Sequence, residues 1–77
     1  MLKGLKTFSA AEAAKLSGVK EDFFIDFYVY RGHIMKEPYG YSATALGIEK
    51  YTVVNDDKCN ALFTVRAIIR IANACAV

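Results

Sequence analysis

The stretch that decides the fold is TFSAAEAAKLSGV, residues 7–19, which runs directly into KEDFFIDFYVYRGH, residues 20–33. Ser9 followed three residues later by Glu12 matches a capping box, in which each side chain accepts a hydrogen bond from the other residue's backbone amide. Alanine and leucine favour helix in the residues that follow, and Gly18 can adopt the left-handed conformation that ends a helix. The sequence therefore predicts a short helix that begins after Ser9 and ends at Gly18.

The second stretch fits two templates. Phe, Ile, Tyr and Val dominate it, and the alternation of large apolar residues from Phe23 to Val29 is typical of a strand. Phe23 and Phe27 also lie at helical spacing, and Glu21 and Asp22 supply negative charge where a helix would begin. Residue propensity alone favours the strand, so the choice depends on the helix that comes before it.

The relative positions of three residues in the first two stretches favour a helix-turn-helix. Such a motif needs a small residue where its helices cross, a turn residue that tolerates left-handed geometry, and an apolar residue on the second helix that fixes the crossing angle. Ala14, Gly18 and Phe24 stand at that spacing. We therefore predict that residues 21–31 form the second helix, because tertiary context often overrides strand propensity.

The middle of the chain changes in character. Pro38, Gly40 and Gly47 punctuate it, and the run YTVVN at residues 51–55 is rich in strand-forming residues. This pattern is consistent with a β-hairpin or an irregular wing between residues 34 and 55.

The apolar tail predicts a last helix, with Asp56 and Asp57 as its N-terminal caps and residues 61–77 as its body. One stripe of this helix is assigned to the core of the domain: Leu62, Val65, Ile69 and Ala72. Three further residues widen the apolar arc and are assigned to a homodimer interface: Phe63, Ile68 and Ile71.

Composition sets limits on the function. The 77 residues are expected to form a single domain, residues 1–77, and 55% of them are hydrophobic, which is more than one small core easily buries. Ten Lys and Arg against eight Asp and Glu give a formal net charge of only +2. That balance does not by itself indicate nucleic-acid binding, so any such contact must depend on where the cations lie.

The sequence lacks the residue patterns that indicate a metal site, a membrane span or a catalytic site. Cys59 and Cys75 form no CxxC pair and His33 is the only histidine, so neither a metal site nor another cofactor is expected. Arg66 and Arg70 interrupt the apolar tail and no secretory signal pattern is visible, so we expect a cytoplasmic protein without a membrane span. No catalytic residue is assigned, because no nucleophile stands beside the histidine and no glycine-rich phosphate loop is present.

TFSAAEAAKLSGV, together with YRGHI at residues 30–34, resembles the winged helix-turn-helix of the MerR and excisionase type. The likeness covers residues 7–34 well and the remainder only in the order of its elements. It implies a mainly α fold with a small β wing, and a homodimeric transcriptional regulator of prokaryotic or phage type that binds duplex DNA. The residues implied to contact DNA are Lys20 and Arg31 at the ends of the second helix, with His33, Lys36 and Lys50 in the wing.

The second helix departs from that family in charge. Glu21, Asp22 and Asp26 stand where Ser, Thr and Arg are expected, and acids that face phosphates are repelled. The alternative function is therefore a protein-binding module or inhibitor, a possible nucleic-acid mimic, whose acidic and aromatic second helix engages a basic partner. The tyrosines are open to two interpretations, stacking on DNA or packing near the core: Tyr28, Tyr30, Tyr39, Tyr41 and Tyr51.

Overall fold

A computed structural model describes residues 6–75 as four helices and five strands. In chain order they are β1 (Thr7–Phe8), α1 (Ala10–Ser17), α2 (Glu21–Tyr30), β2 (Ile34–Glu37), β3 (Gly40–Ala43), α3 (Ala45–Glu49), β4 (Val53–Asn55), β5 (Ala61–Thr64) and α4 (Val65–Cys75). Strands β1, β5 and β4 form one antiparallel sheet in that order, and β2 pairs with β3 in a separate hairpin. The described part of the chain is therefore a small α/β fold, with more strand than the predicted wing alone supplies.

Helix α1 begins and ends as predicted. The Glu12 amide donates to Ser9 Oγ and the Ser9 amide donates to Glu12 Oε1. Both distances are 3.2 Å, so the capping box is present. Gly18 follows the helix with a φ of 78°, a left-handed conformation that costs glycine little. Local hydrogen bonding and one glycine are enough to define this element.

Helix α2 confirms the predicted second helix, despite the strand propensity of its residues. Phe24 and Tyr28 on its inner face are fully buried, and the Phe24 ring meets the Phe63 ring edge to face at 4.8 Å. Ala14 is buried as well, and Gly18 lies in the turn between α1 and α2, as the predicted motif requires. The burial of large aromatic side chains on one helical face thus outweighs their intrinsic preference for a strand.

The predicted hairpin is present but shorter than expected. β2 and β3 pair from Ile34 opposite Ala43 to Glu37 opposite Gly40. The Thr44 hydroxyl then accepts a hydrogen bond from the Gly47 amide over 3.1 Å and caps α3, a helix that the sequence did not predict. The YTVVN run contributes β4 to the other sheet and takes no part in the hairpin.

The predicted start of the last helix is wrong. Asp56 caps no helix; its Oδ1 accepts from the amides of Lys58 and Asn60, at 2.8 and 2.9 Å, and so closes the turn between β4 and β5. The residues after this turn form the central strand β5, and α4 begins only at Val65. The strand is favoured because it pairs with β1 on one side and β4 on the other. Residues 76 and 77 of the predicted helix, and residues 1–5 of the predicted domain, lie outside the described residues.

The buried and exposed faces of the tail are the reverse of those predicted. Phe63 and Ile71, assigned to a dimer interface, are 2% and 0% exposed, and Ile68 is half-buried against the same cluster. Val65 and Ile69, assigned to the core, are 46% and 54% exposed. The predicted dimer interface is therefore wrong for Phe63 and Ile71, which form the core of a single chain, and Ile68 packs against that core.

No helix within residues 6–75 has the length and apolar character needed to cross a membrane.

Candidate nucleic-acid interface

Two buried side chains join the end of α2 to distant parts of the chain. The Tyr28 hydroxyl donates to the backbone carbonyl oxygen of Ala67 in α4 over 2.7 Å. His33 Nδ1 lies 2.6 Å from Thr52 Oγ1, just before β4, and the Tyr28 and His33 rings are 5.3 Å apart. These contacts bring the end of α2, the segment before β4 and the first turns of α4 to one place.

Three cations surround this buried pair. Arg31 caps the end of α2, Lys50 caps the end of α3, and Arg70 lies on α4 one turn after Ala67. Burial first, and then Arg70, Arg31 and Lys50, lower the pKa of His33 below its ordinary value. Burial raises the pKa of Tyr28 to about 12, and Arg70 and Arg31 oppose that rise. The charges of Arg31 and Arg70 act on both buried side chains and that of Lys50 acts on His33, so the three cations share one neighbourhood.

A fourth cation extends the group along α4. Arg66 precedes Arg70 by four residues, which places both on one side of the helix. Its guanidinium lies 6.0 Å from the centre of the Tyr51 ring, and Tyr51 directly follows Lys50. All four side chains are exposed. We call this surface the basic face: Arg31, Lys50, Arg66 and Arg70.

The structure brings together two of the five predicted DNA contacts, Arg31 and Lys50. His33 lies between them but is only 3% exposed, so its prediction as a surface contact is wrong: its imidazole is part of the interior. Lys20 caps the opposite end of α2, roughly 15 Å along the helix axis. Lys36 is exposed on β2, in the hairpin rather than on the basic face.

Sequence reasoning missed Arg66 and Arg70 as members of a site. Their spacing of four residues was the available signal, since it places them on one face of a helix. The sequence did not show which elements lie beside that face. That information comes from the hydrogen bond between Tyr28 and Ala67, which joins residues 39 positions apart.

The outer side of α2 carries the opposite charge. Glu21, Asp22 and Asp26 are all exposed, and Asp22 and Asp26 lie one turn apart. Phe23 and Tyr30 on the same helix are 47% and 91% exposed. Because carboxylates repel phosphates, the basic face is the better anion-binding surface of the two.

His33 leads to a prediction about pH. Since burial lowers its pKa in the folded state, the unfolded chain, with a histidine pKa near 6.5, takes up the proton first. We expect the free energy of unfolding to fall as the pH drops below about 6.5 and to level off once the folded state is protonated too. Urea unfolding at pH values from about 7 to 5 measures this.

The matched variant is His33→Gln, which removes the only histidine of the chain and with it any other histidine titration in that range. An equal loss of stability in the variant would show that the pH dependence arises from carboxylates instead.

Within residues 6–75 no group of three or more His, Cys, Asp or Glu side chains is placed to hold a metal ion, and Cys59 and Cys75 are exposed free thiols. Comparisons of the chain with protein-family models, with curated proteins and with solved structures find no significant match.

Proposed function

We propose that this protein binds DNA and that the basic face, rather than the outer side of α2, holds the phosphate backbone. The observation that carries the proposal is that four exposed cations from three separate elements lie around His33 and Tyr51 on one surface. Contacts from Arg and Lys to phosphate position a protein on DNA and supply the sequence-independent part of its affinity.

The kind of cation supports the same conclusion. The chain contains only three arginines, Arg31, Arg66 and Arg70, and all of them belong to the basic face. The planar guanidinium group binds phosphate through two parallel hydrogen bonds, which the ammonium group of lysine cannot do. Although the net charge is only +2, all the arginines lie on the basic face, and three acids lie on the outer side of α2.

For the scaffold we propose a winged helix-turn-helix, with α1 and α2 as the helix pair and β2–β3 as the wing. The order of these elements and the burial of Ala14 and Phe24 support it. On this scaffold duplex DNA is the first target to test, and transcription regulation in a prokaryote or phage is the corresponding role. Helix α2 then contributes through Arg31 at its end, while its acidic outer side stays away from the phosphates.

The test is binding to a pool of random DNA duplexes, followed by fluorescence anisotropy at several salt concentrations. We expect Arg66→Ala combined with Arg70→Ala to weaken binding at low salt by at least about tenfold and to reduce the salt slope by about two, because each lost phosphate contact lowers it by nearly one.

The control is Lys20→Ala combined with Lys36→Ala, which removes the same charge from the helix-turn-helix and wing positions. This control is expected to have a much smaller effect. The assignment of the basic face is contradicted if the two pairs weaken binding equally, and the duplex as target is contradicted if the wild-type protein binds no duplex at low salt.

A protein-binding module is the second candidate function. Its specific support is the combination of three exposed acids with Phe23 and Tyr30, because an aromatic side chain among carboxylates suits a basic, partly apolar partner. The wild-type titration separates the two candidates: DNA binding that weakens as salt rises supports the first, and no DNA binding at low salt favours the protein-binding module.

A further inference from the structure

Tyr51 has an unusual backbone conformation. Its φ is 60°, in the left-handed region that bulky side chains rarely adopt. Two hydrogen bonds hold it there: its amide donates to the Ile48 carbonyl over 3.0 Å, and its carbonyl accepts from the Thr64 hydroxyl over 2.5 Å. Such an unfavourable backbone conformation, when the surrounding structure holds it in place, often marks a functional residue.

The enforced conformation leaves the ring on the basic face instead of in the core. The Tyr51 side chain is 58% exposed, and the Arg66 guanidinium lies 6.0 Å from its ring centre. Lys50 precedes it directly, and the carbonyl that Thr64 holds ties it to the start of α4. An exposed aromatic ring thus lies among cations that are already placed to hold phosphates.

We propose that Tyr51 stacks on an unpaired nucleobase while the basic face holds the phosphates beside it, so that the protein binds single-stranded DNA more tightly than duplex DNA. This inference rests on the proposed DNA-binding function. Proteins that bind single strands combine a cationic surface with aromatic rings on which bases stack. In a duplex the faces of the bases are covered by their neighbours, so an exposed ring on the protein finds only base edges there.

The experiment compares three ligands of equal length by fluorescence anisotropy: an oligothymidine strand, the same sugar-phosphate backbone with abasic sites, and a duplex. We expect the wild-type protein to bind oligothymidine about tenfold more tightly than the abasic strand, the size expected for stacking of one base. Tyr51→Ala is expected to bring this ratio to about one, and Tyr51→Phe to preserve it, because stacking needs the ring and not the hydroxyl.

Tyr39→Ala is the matched control. Tyr39 is 60% exposed, close to the value for Tyr51, but lies at the tip of the β2–β3 hairpin near Glu37 and Cys59. Its removal is expected to leave the ratio unchanged. Tyr51→Gly provides a second variant, since glycine adopts a positive φ readily; it is expected to lose the ratio without losing the cooperative unfolding transition.

The outcomes separate the two proposals. Equal binding of oligothymidine and the abasic strand by the wild-type protein, a ratio that survives Tyr51→Ala, or a ratio lost equally in Tyr51→Phe would overturn the stacking inference while leaving phosphate binding intact. Failure to bind any of the three ligands at low salt would overturn both.

Discussion

Gly47→Ala is expected to lower the free energy of unfolding by about 3 kcal/mol, a large part of the stability of a domain of this size. A methyl group built on Gly47 would overlap the backbone carbonyl oxygen of His33 and come within 3.1 Å of its carbonyl carbon. A backbone group held by its own hydrogen bond cannot move aside as a flexible side chain can, and this carbonyl accepts from the Thr44 amide over 3.0 Å. Denaturant unfolding measures the loss.

The Gly47→Ala test is decisive because the expected loss of stability is opposite in sign to the ordinary effect of alanine in a helix. Gly47 lies within α3, where alanine would ordinarily be more favourable than glycine by about 1 kcal/mol. Gly18→Ala is the control, because a Cβ at Gly18 meets nothing within 4 Å and only its φ of 78° is unfavourable for alanine. We expect that control to cost about 1 kcal/mol. If Gly47→Ala instead stabilises the protein, α3 does not pack against His33 as described.

Phe63→Ala is expected to have a similarly large effect, about 4 kcal/mol of lost stability. The Phe63 ring is 2% exposed and packs against Phe24 at 4.8 Å and Tyr28 at 5.8 Å, so its removal leaves a cavity at the centre of the aromatic cluster. Because the burial is within one chain, the loss should not depend on protein concentration. Urea unfolding at two protein concentrations that differ by about a hundredfold measures both quantities.

Ile69→Ala is the matched control for the exchanged faces of the tail. Ile69 was assigned to the core from its spacing, but it is 54% exposed, so its truncation is expected to cost less than about 1 kcal/mol. A large loss from Ile69→Ala with a small loss from Phe63→Ala would restore the original assignment. A Phe63 effect that shrinks on dilution, as a wild-type dimer dissociates, would restore its place in a dimer interface.

Local signals were sufficient for the first half of the fold. The capping box of Ser9 and Glu12, the glycine at position 18 and the spacing from Ala14 to Phe24 together predicted α1, the turn and α2. Each of these signals acts between residues close in sequence, through a backbone hydrogen bond or a packed helix crossing. Propensity alone would have made α2 a strand, so the motif, rather than residue preference, gave the correct result.

The second half could not be predicted because its short apolar segments fit both a strand and a helix. ALFT at residues 61–64 continues the helical pattern of α4. It forms a strand instead, because it pairs with β1 on one side and with β4 on the other. The packing of α4 against α1 and β5 then decides which of its residues face inward. A helical period read from sequence groups residues into faces but does not identify the face that is buried.

The candidate site was predicted only in part for the same reason. Arg31 could be chosen at the end of the predicted second helix and Lys50 in the predicted wing. The sequence could not show that His33 is buried between them or that Arg66 and Arg70 lie beside them. Those relations depend on contacts between distant residues, Tyr28 with Ala67 and His33 with Thr52. The sequence alone therefore determined the helix pair and its hairpin, through local capping and turn geometry. Tertiary packing determined the basic face, because only packing brings three separate segments to one surface.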